Sequence, residues 1–251
     1  MMKPVQKFIP AIFVLFLFGA FVWHGPIAQL SDYHAFADQT ILGVIPHAID
    51  VLSNLAFVGV GLFGLSIALS NFPLADRSMS YWAYWSFFVW ILVTSLGSAF
   101  YHWAPDDQRL FWDRLPIALA CASLLAAVRA DLVPGMSRRT ALLELSIFLG
   151  CAIFSVGWWQ QTADLRWYLL LQISTLCLIP IWQFVYAAPM RQRRLFGGAI
   201  MLYVLAKICE CLDHTILLHL GLISGHSLKH ILAALAAAWI AWSWRKVHRI
   251  T

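Results

Sequence analysis

The chain has 251 residues, of which 61% are hydrophobic and only 12% charged, with a net charge of +5. A soluble domain carries about 25% charged residues, so a soluble enzyme or nucleic-acid-binding protein is excluded and a polytopic helical membrane protein is expected. The basic excess is accounted for by loop residues that orient helices, so nucleic acid is not an expected partner.

Apolar runs near the roughly 20 residues needed to cross a bilayer predict eight spans, at about 8–24, 47–70, 80–102, 115–133, 142–159, 167–187, 196–214 and 226–244. The expected fold class is therefore all-α: a seven-helix membrane bundle over 46–251, preceded by an extra N-terminal span and outer loop over 1–45. The first run follows Lys3 and Lys7 and resembles a signal peptide, but it continues through Val22 without an Ala-x-Ala site, so a retained anchor is expected.

Lysine and arginine set the orientation. One side collects Lys3, Lys7, Arg77, Arg129, Arg138, Arg139, Arg191, Arg193, Arg194, Arg245, Lys246 and Arg249, and the other only Arg109, Arg114 and Arg166. Both termini are then cytoplasmic. The outer face receives His24, His34, His47, His102, His214, His219, His226 and His230, together with most of the aspartates. Ionisable groups at membrane depth are costly and point to function.

The second span opens on Asp50-Val51-Leu52-Ser53-Asn54-Leu55. The third ends in Gly97-Ser98-Ala99-Phe100-Tyr101-His102, with Ser98 and His102 four apart on one face and two small residues that let a neighbour approach closely. The chain then turns back, which returns Asp113 to the depth of His102. In the seventh span Lys207 and Glu210 are spaced to pair. Asp213 continues their face; the group reads either as a self-neutralising buried network that holds helices together or as a support in which Asp213 or Glu210 accepts a ring N–H from a ligand histidine. The eighth span begins His226-Ser227-Leu228-Lys229-His230, two imidazoles one turn apart that can grip one ion. His214 and His219 precede an irregular stretch and stay outside the expected ligand set. The five cysteines fall inside apolar runs and read as packing residues, and tryptophans such as Trp158, Trp159 and Trp167 read as an interfacial belt.

Three imidazoles with an open fourth position are the ligand set of a catalytic zinc, which lowers the pKa of its water toward about 7. A carboxylate to move protons and a donor for the developing oxyanion complete such a site, and Asp113 and Ser98 are the right groups on the right side.

Ser98-x3-His102, Asp113 eleven residues further on, His226-x3-His230 in the last span and the Ser53-Asn54-Leu55 segment together resemble the alkaline ceramidase family, over roughly residues 47–244. Its members are seven-helix intramembrane zinc amidases related to the adiponectin and progestin receptors. The resemblance implies zinc held by His102, His226 and His230. It gives Asp113 the role of proton carrier and Ser98 that of polar support. It also implies a ceramide-like lipid as partner, cleaved at its amide to a sphingoid base and a fatty acid. It does not carry calcium over, because Asp32-Tyr33-His34-Ala35-Phe36-Ala37-Asp38-Gln39 is acidic but departs from the family's calcium loop. Lys229 stands where relatives have an aromatic residue, placed either to bind a lipid phosphate or sulfate or to snorkel to the surface.

The protein is thus expected to be a bacterial inner-membrane hydrolase that draws its substrate from the bilayer and works at the periplasmic face. A lipid-responsive receptor with a structural zinc is the alternative. A haem carrier would need histidine pairs at both membrane faces, and a transporter would favour internal repeats or helices broken within the spans, none of which is expected from the sequence.

Overall fold

The computed structural model describes residues 7–74 and 78–247, so Lys3, Arg77 and Arg249 of the orientation argument lie outside the described residues. The chain is an all-α helical bundle. Its helices are α1 (Ile9–His24), α2 (Ala48–Ser53), α3 (Leu55–Ser70), α4 (Tyr81–Trp103), α5 (Asp107–Leu132), α6 (Arg138–Thr162), α7 (Arg166–Val185), α8 (Met190–Cys211), α9 (Asp213–Leu220) and α10 (Gly225–Val247). A two-residue hairpin, β1 (Ile41–Leu42) with β2 (Ile45–Pro46), is the only paired sheet among the described residues.

Every expected span is met by helix, but fewer qualify as crossings than the eight expected. Five spans are long and apolar enough to cross a membrane (α2 with α3, α4, α5, α6 and α7), and a sixth is added if the bent pair α8–α9 is one span. α1 falls short because it has only 16 residues. α10 has 23 residues but carries His226, Lys229 and His230 near one end and Arg245 near the other.

The boundaries moved where polar caps overrule hydropathy. α5 starts eight residues ahead of the expected 115, because the Asp106 side chain caps it by accepting the Arg109 N–H at 2.7 Å. Its polar first turns are invisible to an apolar-run criterion. The seventh span does not run straight to 214. It stops at Cys211, and α9 leaves at 83°. Asp213 therefore does not continue the face of Lys207 and Glu210 on one helix. The second span is broken at Asn54, whose amide donates to the Asp50 carbonyl at 2.9 Å and competes with the helical ladder.

Small residues set the helix spacing, as expected without a water-driven force between helices in lipid. A Cβ at Gly97 would lie 2.0 Å from the Trp112 carbonyl oxygen, so α4 and α5 touch backbone to backbone beside Asp113. Toward one end the core is built around Phe57, Phe88, Ile179, Ile240 and Trp244. Toward the other it is built around Phe36, Tyr101, Leu110, Trp159 and Tyr168. In that second region Arg114 is 3% exposed and lies 4.9, 4.1 and 5.4 Å from the ring centroids of Tyr33, Trp159 and Tyr168. The aromatic faces offset part of the cost of burying its guanidinium.

The segment between α1 and α2 is tied down at two carboxylates. Burial opposes ionisation of Asp164, yet the N–H groups of Ile27 and Arg166, the Arg166 guanidinium and the Trp158 indole hold its carboxyl at about 2. Burial likewise opposes ionisation of Asp38, but Thr40 and the N–H groups of Asp50 and Ile49 hold it below its ordinary value. That charge sits at the N-terminus of α2, where the helix presents unpaired N–H groups.

Candidate metal centre

Two helices supply the imidazoles. α4 carries Ser98 and His102 on one face near its C-terminus, and α10 carries His226 and His230 one turn apart at its N-terminus. The start of α10 is closely specified. Ser224 caps it by accepting the Ser227 N–H at 2.9 Å. Asp213 accepts the His226 N–H at 2.7 Å, and Asp50 accepts the hydroxyls of Ser224 and Ser227 at 2.8 and 2.5 Å. A Cβ at Gly225 would meet the Cys209 carbonyl oxygen at 2.1 Å, so the helix start is seated in the bend between α8 and α9.

The three rings converge. Nε2 of His102 and Nε2 of His226 are 3.1 Å apart, and one ring nitrogen from each of His102, His226 and His230 lies within 4.8 Å of the others. Ring centroids are separated by 4.6, 5.0 and 4.9 Å, and the residues are 0, 4 and 2% exposed. Tetrahedral zinc with Zn–N near 2.0–2.1 Å places its ligand nitrogens about 3.4 Å apart, so the donor set fits a single ion.

The hydrogen bonds behind His230 support that fit. The Ser53 hydroxyl donates its one proton to the Asp50 carbonyl at 2.8 Å, so at 2.7 Å from His230 Nδ1 it accepts the ring N–H. The proton is thereby fixed on Nδ1, and the Nε2 lone pair faces the other imidazoles. His102 Nδ1 has no hydrogen-bond partner among the described residues. Phe36, from the loop ahead of α2, covers the group with its ring 4.6 Å from that of His102 and 4.5 Å from that of His226.

Removing the Ser53 hydroxyl is expected to weaken metal binding by about 10- to 100-fold, the usual cost of losing a partner behind a ligand. Competitive titration of Ser53→Ala against a zinc chelator measures it, and an unchanged affinity would remove Ser53 from the site.

All five residues singled out in the sequence come together. Ser98 Oγ is 3.4 Å from His230 Nε2, and Ser98 and Asp113 are both buried. They line one end of a cavity of about 170 Å³ with His230 and Lys229, while Phe87, Ile179 and Ile240 line it further in. Ten residues of α10 separate His230 from Ile240, so the cavity runs about 15 Å into the bundle at 1.5 Å per residue.

His214 and His219 stay outside this group. His214 donates to the Ala35 carbonyl at 3.0 Å, and His219 bonds the Thr215 carbonyl at 2.8 Å. Of the two readings of the charged group, the self-neutralising network is met at Glu210, and the carboxylate-to-ring contact is not found among the described residues. Asp213 takes main-chain N–H groups of His226 and Ala37, and Glu210 takes the ammonium groups of Lys207 and Lys229. Lys229 does not snorkel, since its side chain is 15% exposed and its Nζ lies 2.6 Å from His226 Nε2. Sequence reasoning missed Asp50, Ser53 and Phe36 as supports of the histidines. The usable signal was a carboxylate and a hydroxyl one turn apart in an otherwise apolar run.

Fold and site together define a membrane-type all-α bundle with a buried three-histidine group that can hold a metal ion at one end of an apolar cavity. No protein-family model and no curated protein sequence matches the chain.

Proposed function

We propose that the chain is an intramembrane zinc-dependent amidase of the alkaline ceramidase type, acting on the amide bond of a long-chain lipid. The observation that carries this reading is that Ser98, Asp113 and His230 line the polar end of an apolar cavity, with His102 and His226 converging on His230. Imidazole ligands suit zinc, and such an ion supplies a water of lowered pKa and a Lewis acid for the carbonyl.

The chain's own residues do the rest. The cavity beyond Ser98 takes the acyl chain, so the amide carbonyl stops among the polar groups. Ser98 donates to the carbonyl oxygen as it gains charge. Asp113 takes a proton from the attacking water and returns it to the departing nitrogen. One C–N bond breaks, one C–O bond forms, and the products are a carboxylate and an amine. Phe36 limits the access of bulk water to the reacting group.

The arginine and lysine bias supports a reading in which both termini are cytoplasmic and the site lies at the outer face, the periplasmic one if the membrane is a bacterial inner membrane. The lipid enters sideways from the bilayer.

The test is metal analysis paired with hydrolysis of lipid amides differing in headgroup. One zinc per chain and turnover that is lost on prolonged chelation and regained on zinc addition is the expected result. Stoichiometric zinc with no turnover of any amide would overturn the enzyme reading in favour of a metal-containing receptor.

A further inference from the structure

The polar end of the cavity is oddly charged for a neutral lipid amide. Lys229 from α10 and Lys207 from α8 both line it, bridged by Glu210, with Lys229 Nζ 3.1 Å from Glu210 Oε1. Arg114 sits behind the lining residues Tyr33 and Tyr168. Two ammonium groups, Lys207 and Lys229, thus share the one carboxylate of Glu210, and Asp113 is the other acid among the lining residues, before any divalent ion adds its charge. Burying an ammonium is costly, and Lys229 lies well inside while Lys207, 47% exposed, stands nearer the mouth.

The position of Lys229 narrows the ligand chemistry. Once the Nε2 lone pair of His226 is given to an ion, Lys229 Nζ, 2.6 Å from that nitrogen in the ion-free arrangement, keeps Glu210 as its partner at the same end of the cavity, so an amide held at the imidazoles lies close to the ammonium. A ceramide presents only hydroxyl groups there. A carboxylate on the carbon bonded to the amide nitrogen presents the right charge at the right reach. We infer that the substrate is an N-acyl α-amino acid, with Lys229 receiving its carboxylate and Glu210 holding Lys229 in place. The inference rests on the amidase reading above. The reaction balances as R–CO–NH–CHR′–COO⁻ + H₂O → R–COO⁻ + ⁺H₃N–CHR′–COO⁻. The C–N bond is cleaved, a C–O bond is formed, and the protons of water pass to the amine. An anionic group several bonds further out, such as a headgroup phosphate, would fall beside Lys207 instead.

The test uses the full-length zinc-loaded protein and three amides with one acyl chain: N-dodecanoylglycine, N-dodecanoylethanolamine and the phosphate ester of the latter. A charge-assisted contact predicts that kcat/KM for the glycine amide exceeds that for the ethanolamine amide by about 10- to 100-fold. In Lys229→Met that ratio falls toward unity, and in Lys207→Met it persists. Taking a ratio within one preparation cancels any loss of folded protein. Preference for either ethanolamine compound, or a ratio that survives Lys229→Met, would overturn the inference.

Equilibrium binding of the same amides to zinc-free protein separates the two levels. Tighter, Lys229-dependent binding of the glycine amide without hydrolysis of any compound would remove the amidase and leave the carboxylate site. Hydrolysis without preference would do the reverse. Neither hydrolysis nor preferential binding would remove both.

Discussion

His226→Ala is expected to lose both bound zinc and lipid-amide hydrolysis, while His219→Ala keeps both. The contrast is sharp because the two histidines are seven residues apart and meet different surroundings. His226 is 4% exposed, with its Nε2 3.1 Å from that of His102, whereas the exposed His219 bonds a carbonyl of its own helix. Removing one of three imidazoles leaves two ligands, too few for the usual zinc geometry. If the ion supplies several kcal/mol to the barrier, activity falls by about three orders of magnitude or more. Zinc content by elemental analysis and turnover of a dodecanoyl amide are measured on the same samples. Retention of full activity by His226→Ala, or its loss in His219→Ala, would refute the site.

Asp113→Asn separates the metal from the proton. Asparagine keeps the shape of the side chain at a position only 6% exposed, so the helices should pack as before. Asp113 is not among the three residues that converge as ligands, so zinc content is expected to stay at one per chain. The amide cannot carry a proton from water to the leaving nitrogen, and kcat is expected to drop by about 10²- to 10⁴-fold. Loss of zinc in this variant would make Asp113 a structural support instead. Unchanged turnover would strip it of any part in the reaction.

Much of this architecture could be read from the residues themselves. The apolar runs located every helix that crosses the bundle, since burial in lipid or protein demands them of the sequence. The His-x3-His and Ser-x3-His spacings placed four side chains on two helix faces, and the turn at 104–106 returned Asp113 to their depth. Geometry with no sequence periodicity was not legible. The bend at Leu212 follows a stretch of α8 with no glycine or proline to mark a break, and the start of α5 lies in polar residues that hydropathy discards. The supports of the histidines were hidden for another reason. Asp50 and Ser53 stand out as polar residues one turn apart in an apolar run, but their partners Ser227 and His230 lie 177 residues away, and nothing local names them. Asp213 was singled out correctly but given the wrong partner, because the chain turns just ahead of it and aims its carboxylate at main-chain N–H groups.

The phenyl ring of Phe36 has a consequence for kinetics. It belongs to a loop held by Asp213 at Ala37, by Asp38 at α2 and by the hydrogen bond between His214 and the Ala35 carbonyl. On the Phe36 side, an ion seated among the imidazoles would be shut off from water while that clasp is closed. With the cavity end filled by a bound lipid, a chelator would report the lifetime of the closed loop rather than the strength of the ligand bonds, and a metal ion held there would survive dilution that an open site of equal affinity would not.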